Sequence, residues 1–290
     1  MAITEHQQTP TILVAGCGKL GGAIASQLTR TAKVYGLRRN PDRVPEGVHA
    51  LGADLMVPEQ LRPVLPDNLD VVVYCLTPAS YDNEGYHNAY VKGLQNLIDA
   101  LDGHRLTRLV FIGSSSVYAQ DDDSWVDEAS PTEPARYSGQ AILEGERIAL
   151  ESGSPATVIR FSGIYGPSRA RFLDAVMNGG MAPTSPGPYS NRIHEADAAA
   201  ATCHIVERAL ASQPLEDRYL ASDCEPVRLD EVVAWVREQL PCDKPGPDAR
   251  KGGRAGSKRC NNRRLLDSGF HFRYPDFRVG YREMIAEKKR

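Results

Sequence analysis

The chain has 290 residues, 41% hydrophobic and 24% charged, which suits one large soluble α/β domain or such a domain with a small companion. Its formal net charge of −3 argues against nucleic acid or an anionic membrane as a partner. The six cysteines are scattered without a C-x-x-C pair and the N-terminus is polar, so we expect no metal site, no disulfide framework and a cytoplasmic protein.

The first half of the chain alternates β-rich runs with helical patterns. Strands are predicted at 11–15, 33–37, 48–53, 69–76, 109–112 and 156–161, and helices at 20–29, 86–101 and 135–151. Strands separated by helices predict a doubly wound parallel sheet, the Rossmann type of α/β fold. Such a sheet binds ligands at the carboxyl ends of its strands.

The second half is less regular. A loop is predicted at 178–191, helices at 195–210 and 229–240, a Pro/Gly-rich linker at 242–256, and a short helix capped by Ser257 and ended by Gly269. We therefore expect a dinucleotide-binding Rossmann domain over 10–167, to which 192–225 return. A small C-terminal substrate lobe is expected over 168–191 and 226–290.

A glycine loop follows the first predicted strand directly and opens the first helix. It reads Gly16-Cys17-Gly18-Lys19-Leu20-Gly21, a G-x-G-x-x-G pattern in the context that gives the pattern meaning. The first glycine permits a tight turn, the second lets a pyrophosphate approach the backbone, and the third allows helix and strand to pack closely. Gly16, Gly18, Lys19, Leu20 and Gly21 are therefore predicted to bind a dinucleotide.

The residues after the second strand bear on the choice between NAD and NADP. An acidic residue there would hold the ribose 2′-hydroxyl of NAD, but this chain has Arg38 and Arg39. Because forked guanidinium groups suit a 2′-phosphate, NADP is favoured over NAD; the alternative is a solvated arginine pair. Asp54 is expected near the adenine, and Leu76, Thr77 and Pro78 near the cofactor, since they follow strands.

Further motifs occur along the chain in a characteristic order: Gly113-Ser114-Ser115-Ser116-Val117-Tyr118, then Tyr137, then Tyr165-Gly166-Pro167, and then Ile193-His194. With the glycine loop, they resemble the extended short-chain dehydrogenases/reductases, that is, the NAD-dependent epimerase/dehydratase family. Gly256-Ser257-Lys258-Arg259 and the residues around Pro275 resemble an atypical subgroup. The resemblance covers nearly the whole chain and implies NAD(P) as cofactor, a polar small-molecule substrate such as a nucleotide sugar, and a homodimer.

The resemblance also implies roles for particular residues. Tyr137 would be the tyrosine that exchanges a proton with a substrate oxygen, and Ser114 the serine that hydrogen-bonds the same oxygen. Ser115 and Ser116 are the neighbouring candidates, and Ser115 is also expected to help seat the nicotinamide. The family's lysine, four residues after the tyrosine, lowers the tyrosine pKa and holds the ribose, but here that position is Ala141.

Ala141 leaves two hypotheses open. One is an NAD(P)-dependent oxidoreductase or epimerase, which rests on the glycine loop, Ser114 and Tyr137. The other is a non-catalytic NAD(P)-binding protein that regulates a partner or senses redox state, which rests on Ala141. An absorbance change at 340 nm that depends on a substrate would distinguish the two.

Overall fold

The computed structural model of the protein describes residues 9–252 and 256–288. The strands are β1 Thr11–Ala15, β2 Lys33–Arg38, β3 His49–Gly52, β4 Val71–Tyr74, β5 Arg108–Ser114, β6 Trp125–Val126, β7 Ala156–Phe161, β8 Gly163–Tyr165, β9 Tyr189–Ser190, β10 Arg192–His194, β11 Arg218–Ala221, β12 Val227–Arg228 and β13 Arg259–Cys260. The helices are α1 Lys19–Leu28, α2 Asn83–His87, α3 Gly93–Ala100, α4 Tyr137–Leu150, α5 Arg171–Met177, α6 Glu195–Leu210, α7 Leu229–Gln239, α8 Arg263–Asp267 and α9 Phe277–Lys288. A π-helical turn, Asn88–Lys92, joins α2 to α3.

A seven-stranded parallel sheet in the order β11-β7-β5-β4-β1-β2-β3 confirms the predicted Rossmann-type fold. β1 pairs with β2 on one side and with β4 on the other, so the glycine loop leaves the sheet from between two strands. The four residues of β4 are all fully buried, as the apolar run at its centre predicts. Short two-stranded sheets join β8 to β10, β9 to β12 and β6 to β13.

Most predicted elements are found close to their predicted bounds, and the helix at 195–210 and the strand at 156–161 match α6 and β7. The predicted helix at 86–101 begins earlier, at Asn83, because the Asp82 carboxylate caps it by accepting from the Gly85 amide at 2.7 Å. The short helix predicted to end at Gly269 is found as α8, but its predicted cap, Ser257, is wrong. Ser257 instead precedes β13, because Asp121 and Asp123 bind its backbone and hydroxyl.

The described residues form two compact units. The first comprises the described part of Met1–Ile112 with Glu144–Val158 and Thr202–Asp217, and the second comprises Gly113–Leu143, Ile159–Ala201 and the described part of Arg218–Arg290. These bounds follow packing, and the functional domain boundaries given above stay a prediction. The second unit has its own apolar core, in which Leu173, Val232 and Phe277 are fully buried. Within the described part of the chain, helices long and apolar enough to cross a bilayer are absent.

Candidate functional site

The glycine loop in the first unit is a tight backbone turn that only glycine fits at two of its positions. Gly16 has a φ of +91°, and a Cβ there would overlap the carbonyl oxygen of Cys75. A Cβ on Gly21 would overlap the carbonyl oxygen of Gly16. The amides of Gly16 and Cys17 both donate to the Leu37 carbonyl oxygen at 3.0 Å, which ties the turn to the end of β2.

Gly18 differs from these two glycines. It is exposed, precedes the first residue of α1, and a Cβ built there meets only the Gly16 oxygen, at 3.9 Å. The space beside Gly18 is therefore open, at the helix end where backbone amides and the helix dipole attract an anion. Lys19 is exposed at the first position of the same helix. The loop therefore fits a pyrophosphate as its sequence predicts.

A cavity of about 600 Å³ opens beside this loop in the first unit. Seven of the predicted cofactor residues line it: Gly16, Gly18, Arg38, Arg39, Asp54, Leu76 and Thr77. Lys19, Leu20, Gly21, Pro78 and Ser115 do not line it; all of these except Lys19 are buried. A cavity of this size at the end of β1, β2 and β4 fits part of a dinucleotide.

Ala79 and Ser80, which follow Thr77 and Pro78 after β4, also line this cavity, and sequence reasoning missed further lining residues: Asn40, Arg43, Leu55, Met56, Glu84, Gly85, Asn88 and Ala89. Several of these residues lie on α2 and the π-helical turn. The helix predicted at 86–101 starts three residues after the observed start of α2 at Asn83. The Asp82 cap was the available signal, since aspartate is a preferred first residue of a helix. Asn40 directly follows the arginine pair and Arg43 lies four residues after Arg39, so extending that motif would have found both.

The arginines after β2 have different surroundings. Arg38 is half-buried and donates from Nη1 to the carbonyl oxygens of Cys17 at 3.1 Å and Arg43 at 2.9 Å. Its guanidinium therefore holds the glycine loop against the turn that follows β2. Arg39 and Arg43 are exposed on the same cavity, which makes them better placed than Arg38 to meet an added phosphate.

Asp54 also has a structural task at the cavity wall. Its Oδ1 accepts from the Met56 amide at 3.0 Å, and its own amide donates to Gln60 Oε1 at 2.9 Å. The carboxylate thus shapes the turn after β3 and still lines the cavity. The predicted contact with adenine stays a prediction.

The second unit holds the serine turn, which we define as Ser114–Val117. Ser114 ends β5, and its Oγ accepts from the Ser116 amide at 3.2 Å, so it caps the 3₁₀ turn that follows. Ser114 is partly exposed, whereas Ser115 is buried and its hydroxyl is hydrogen-bonded to the Cys260 thiol. Of the two, Ser114 is therefore the serine that a substrate can reach.

Tyr137 is the first residue of α4 and is 40% exposed. Two residues later, a Cβ on Gly139 would lie 2.7 Å from the Ser116 carbonyl oxygen, so the first turn of α4 packs directly on the serine turn. The structure thus brings together the two elements that carry Ser114 and Tyr137. Ala141 is 6% exposed, and Gln140 donates to the Pro134 carbonyl oxygen at 3.1 Å, so neither residue supplies the cation of the missing lysine.

A buried polar cluster in the second unit was not predicted from the sequence. Ser162 Oγ, Tyr165 Oη, Arg192 Nη1 and both carboxylate oxygens of Asp223 are buried without a hydrogen-bond partner in the protein. Burial raises the pKa of the Asp223 carboxyl far above its usual value, although the Arg192 guanidinium opposes the shift. Burial likewise raises the pKa of Tyr165, and Asp223 adds to that effect.

The raised pKa of Asp223 has a consequence for stability. The folded protein binds more protons than the unfolded chain between the unfolded and folded pKa values, so stability from this group is greatest at low pH and falls as pH rises through that window. Asp223→Asn removes the titration. We expect any loss of stability in this variant to be smaller at pH 8 than at pH 5, because only wild type loses stability as Asp223 ionises.

Urea unfolding at the two pH values measures this effect, with the exposed Asp248→Asn as the control. An Asp223→Asn penalty that is the same at both pH values would contradict the assignment of a proton to Asp223. A penalty that grows with pH would mean that the ionised form is the one the fold stabilises.

Comparisons with known proteins indicate the family to which the chain belongs. The model of the NAD dependent epimerase/dehydratase family matches residues 12–184. Protein YeeZ of Escherichia coli K12 is 26% identical over 279 residues, covering 91% of this chain and 96% of that protein. A Methylobacillus flagellatus structure assigned to the NAD-dependent epimerases/dehydratases is 33% identical with a TM-score of 0.83, and the match covers 98% of this chain and all of that one.

A more distant structure shares the fold. It is a Thermus thermophilus UDP-glucose 4-epimerase in complex with NAD, 21% identical with a TM-score of 0.75, and the match covers 95% of this chain and 98% of that one. The family model spans more than half of the chain and includes the glycine loop, the serine turn and Tyr137. The protein therefore belongs to the NAD dependent epimerase/dehydratase family.

Proposed function

We propose that the protein is an NADP-dependent oxidoreductase or epimerase that acts on a hydroxyl or carbonyl group of a polar substrate of the nucleotide-sugar type. The observation that carries the proposal is the glycine loop, which leaves open space at Gly18 beside a cavity lined by three arginines. A loop that excludes side chains at Gly16 and Gly21 but stays open at Gly18 fits a dinucleotide pyrophosphate.

The chemistry assigns separate tasks to two side chains of the second unit. Ser114 donates a hydrogen bond to the substrate oxygen and fixes its orientation. Tyr137 gives a proton to that oxygen, or takes one from it, at its phenolic hydroxyl. The bound nicotinamide would supply or accept the hydride at the substrate carbon that bears this oxygen.

A binding and turnover assay tests this proposal. The purified protein is titrated with NADPH and NADH by fluorescence, and is then mixed with NADP⁺ or NAD⁺ and UDP-glucose, UDP-N-acetylglucosamine or dTDP-glucose. Net oxidation or reduction is followed at 340 nm, and epimerised sugar nucleotide by chromatography, because an epimerase returns the hydride to its substrate and leaves the absorbance unchanged. Saturable cofactor binding and conversion of a sugar nucleotide by either readout support the proposal. Failure to bind either dinucleotide below millimolar concentration would refute it.

The choice of NADP leads to a separate prediction. Arg39→Ala should weaken NADPH binding by about tenfold or more, because a charge-assisted hydrogen bond to the 2′-phosphate contributes roughly 1.5–3 kcal/mol. NADH binding should change less than twofold. Arg62→Ala is the matched control, since Arg62 lies in the same unit, is 65% exposed and does not line the cavity.

The fluorescence titration gives both dissociation constants for each variant. Equal losses for NADPH and NADH would show that Arg39 does not discriminate between the two cofactors. Arg38→Ala is less informative, because it would also release the Cys17 and Arg43 carbonyl oxygens that Arg38 holds.

The second candidate function is a non-catalytic dinucleotide-binding protein that regulates a partner or senses redox state. The buried Ala141 supports it, because that helix position carries no ammonium to lower the tyrosine pKa. This candidate predicts tight NADPH binding without substrate-dependent turnover. Turnover that Tyr137→Phe abolishes would rule it out.

A further inference from the structure

One lysine of the second unit is almost completely buried and has no task in the chemistry described so far. Lys258 is 2% exposed and is among the largest fully buried side chains of the described residues. Lysine is rarely buried to this extent, because removing its ammonium from water is costly. Its place in the fold therefore needs a reason.

Lys258 lies in an extended segment that we call the C-terminal strap, residues 256–262. The Ser257 amide donates to Asp121 Oδ1 at 2.6 Å, and β13 runs parallel to β6. Asn191 clamps the other edge: its amide donates to the Lys258 carbonyl oxygen, and its oxygen accepts from the Cys260 amide, both at 2.8 Å. Hydrogen bonds to the backbone on both edges thus hold the strap in place.

Side chains of the strap alternate between two faces, as in any extended strand. Arg259 points to one face, where its guanidinium lies over the rings of Trp125 at 4.9 Å and Tyr189 at 5.3 Å. Lys258 and Cys260 share the opposite, buried face. The Cys260 thiol is hydrogen-bonded to the Ser115 hydroxyl, so this face lies against the serine turn.

The serine turn is therefore held between two elements. The first turn of α4, which carries Tyr137, packs on it through Gly139, and the buried face of the strap packs on it through Cys260. We infer that Lys258 is a positioning residue whose ammonium gives the serine turn the positive potential that Ala141 cannot provide. The inference rests on the proposed function, since it assigns Lys258 to the same reaction.

The physical basis is the effect of a charge in a poorly solvated environment. A cation close to a reacting oxygen favours the transition state when negative charge develops on that oxygen, and burial reduces the screening by water. The substrate oxygen would feel this potential where it accepts from Ser114, because the Ser114 hydroxyl caps the turn that the strap supports. Lys258 acts through the turn and need not touch the substrate.

The dependence of turnover on pH distinguishes this role of Lys258 from a purely structural one. Burial lowers its pKa, while the Cys260 thiol and the Asp121 carboxylate act in the opposite direction. Loss of its charge at alkaline pH should therefore reduce turnover. We call this fall in turnover the alkaline limb of the pH profile. Arginine keeps its charge over the whole working range, so Lys258→Arg should remove the alkaline limb.

The test compares wild type, Lys258→Met, Lys258→Arg and the exposed Lys244→Met, using whichever sugar nucleotide wild type turns over. The values of kcat and KM are measured from about pH 6 to pH 10, with NADPH affinity and thermal unfolding as controls. We expect Lys258→Met to lower kcat at least tenfold with NADPH affinity within twofold of wild type. Lys258→Arg should retain at least a third of kcat without the alkaline limb, and Lys244→Met should match wild type.

Several results would overturn the inference. One is a folded Lys258→Met variant with kcat within threefold of wild type. If Lys258→Met does not fold, the arginine variant decides: an alkaline limb unchanged from wild type overturns the inference, and its loss supports it. A wild type that turns over none of the three sugar nucleotides refutes the proposed function, and the Lys258 inference with it.

Discussion

Gly18→Val should lower the affinity for NADPH by at least a hundredfold while leaving the fold intact. The first atom of the added side chain has room in the protein, because a Cβ at Gly18 meets only the Gly16 carbonyl oxygen at 3.9 Å. The same space is where a pyrophosphate must approach the amides at the start of α1. Fluorescence titration with NADPH, together with thermal unfolding, measures the two effects separately.

The matched control is Gly246→Ala, at an exposed glycine with no atom within 4 Å of an added Cβ. Gly21→Val provides the contrast, since its Cβ would overlap the Gly16 backbone and should lower both affinity and melting temperature. Near-normal NADPH affinity in a folded Gly18→Val protein would show that the dinucleotide does not bind at this loop.

Tyr137→Phe should lower kcat by about a hundredfold or more, because general acid–base catalysis typically contributes 10²–10⁴-fold. The phenylalanine ring keeps the shape of the side chain at the start of α4, where Tyr137 is 40% exposed, so the melting temperature should barely change. NADPH affinity should stay within about twofold of wild type, because only the hydroxyl is removed. Steady-state assays with the best sugar nucleotide measure the change, at 340 nm for a net oxidation or reduction and by chromatography for an epimerised product.

The control for this variant is Tyr35→Phe, at a half-buried tyrosine of β2 that does not line the cavity. Ser114→Ala should give a loss of turnover in the same direction as Tyr137→Phe. If the two hydroxyls act on one substrate oxygen, the fold-loss of kcat in the double variant should be smaller than the product of the two single fold-losses. Full turnover in Tyr137→Phe would refute the assignment of this tyrosine to the reaction.

The parts of the protein that follow from local sequence were largely predictable. The glycine spacing after a buried strand predicts the loop, and the apolar run of β4 predicts a central parallel strand. The period of the Ala-rich segment predicts α6 to the residue. Local chemistry misled at Ser257, which suits a helix cap but is held in an extended segment by Asp121 and Asp123.

The candidate site was predictable only in part. The sequence suggested Arg38 and Arg39 alike for a 2′-phosphate, yet the Arg38 guanidinium donates to the carbonyl oxygens of Cys17 and Arg43. Arg39 and Arg43 face the cavity with more exposure, a difference that spacing cannot encode. The buried atoms around Asp223 come from β8, β10 and the segments after β7 and β11, so only the fold assembles them.

The sequence by itself determined the fold class, the family and the dinucleotide loop, because these depend on short patterns of glycine, apolar residues and strand order. Only the tertiary structure brings the strap that carries Lys258 against the serine turn. Lys258 lies 117 residues after Ala141 in the sequence, and its strap donates hydrogen bonds to Asp121 and Asp123 and accepts one from Asn191. Contacts between residues so far apart depend on the folded backbone, which local periodicity cannot specify.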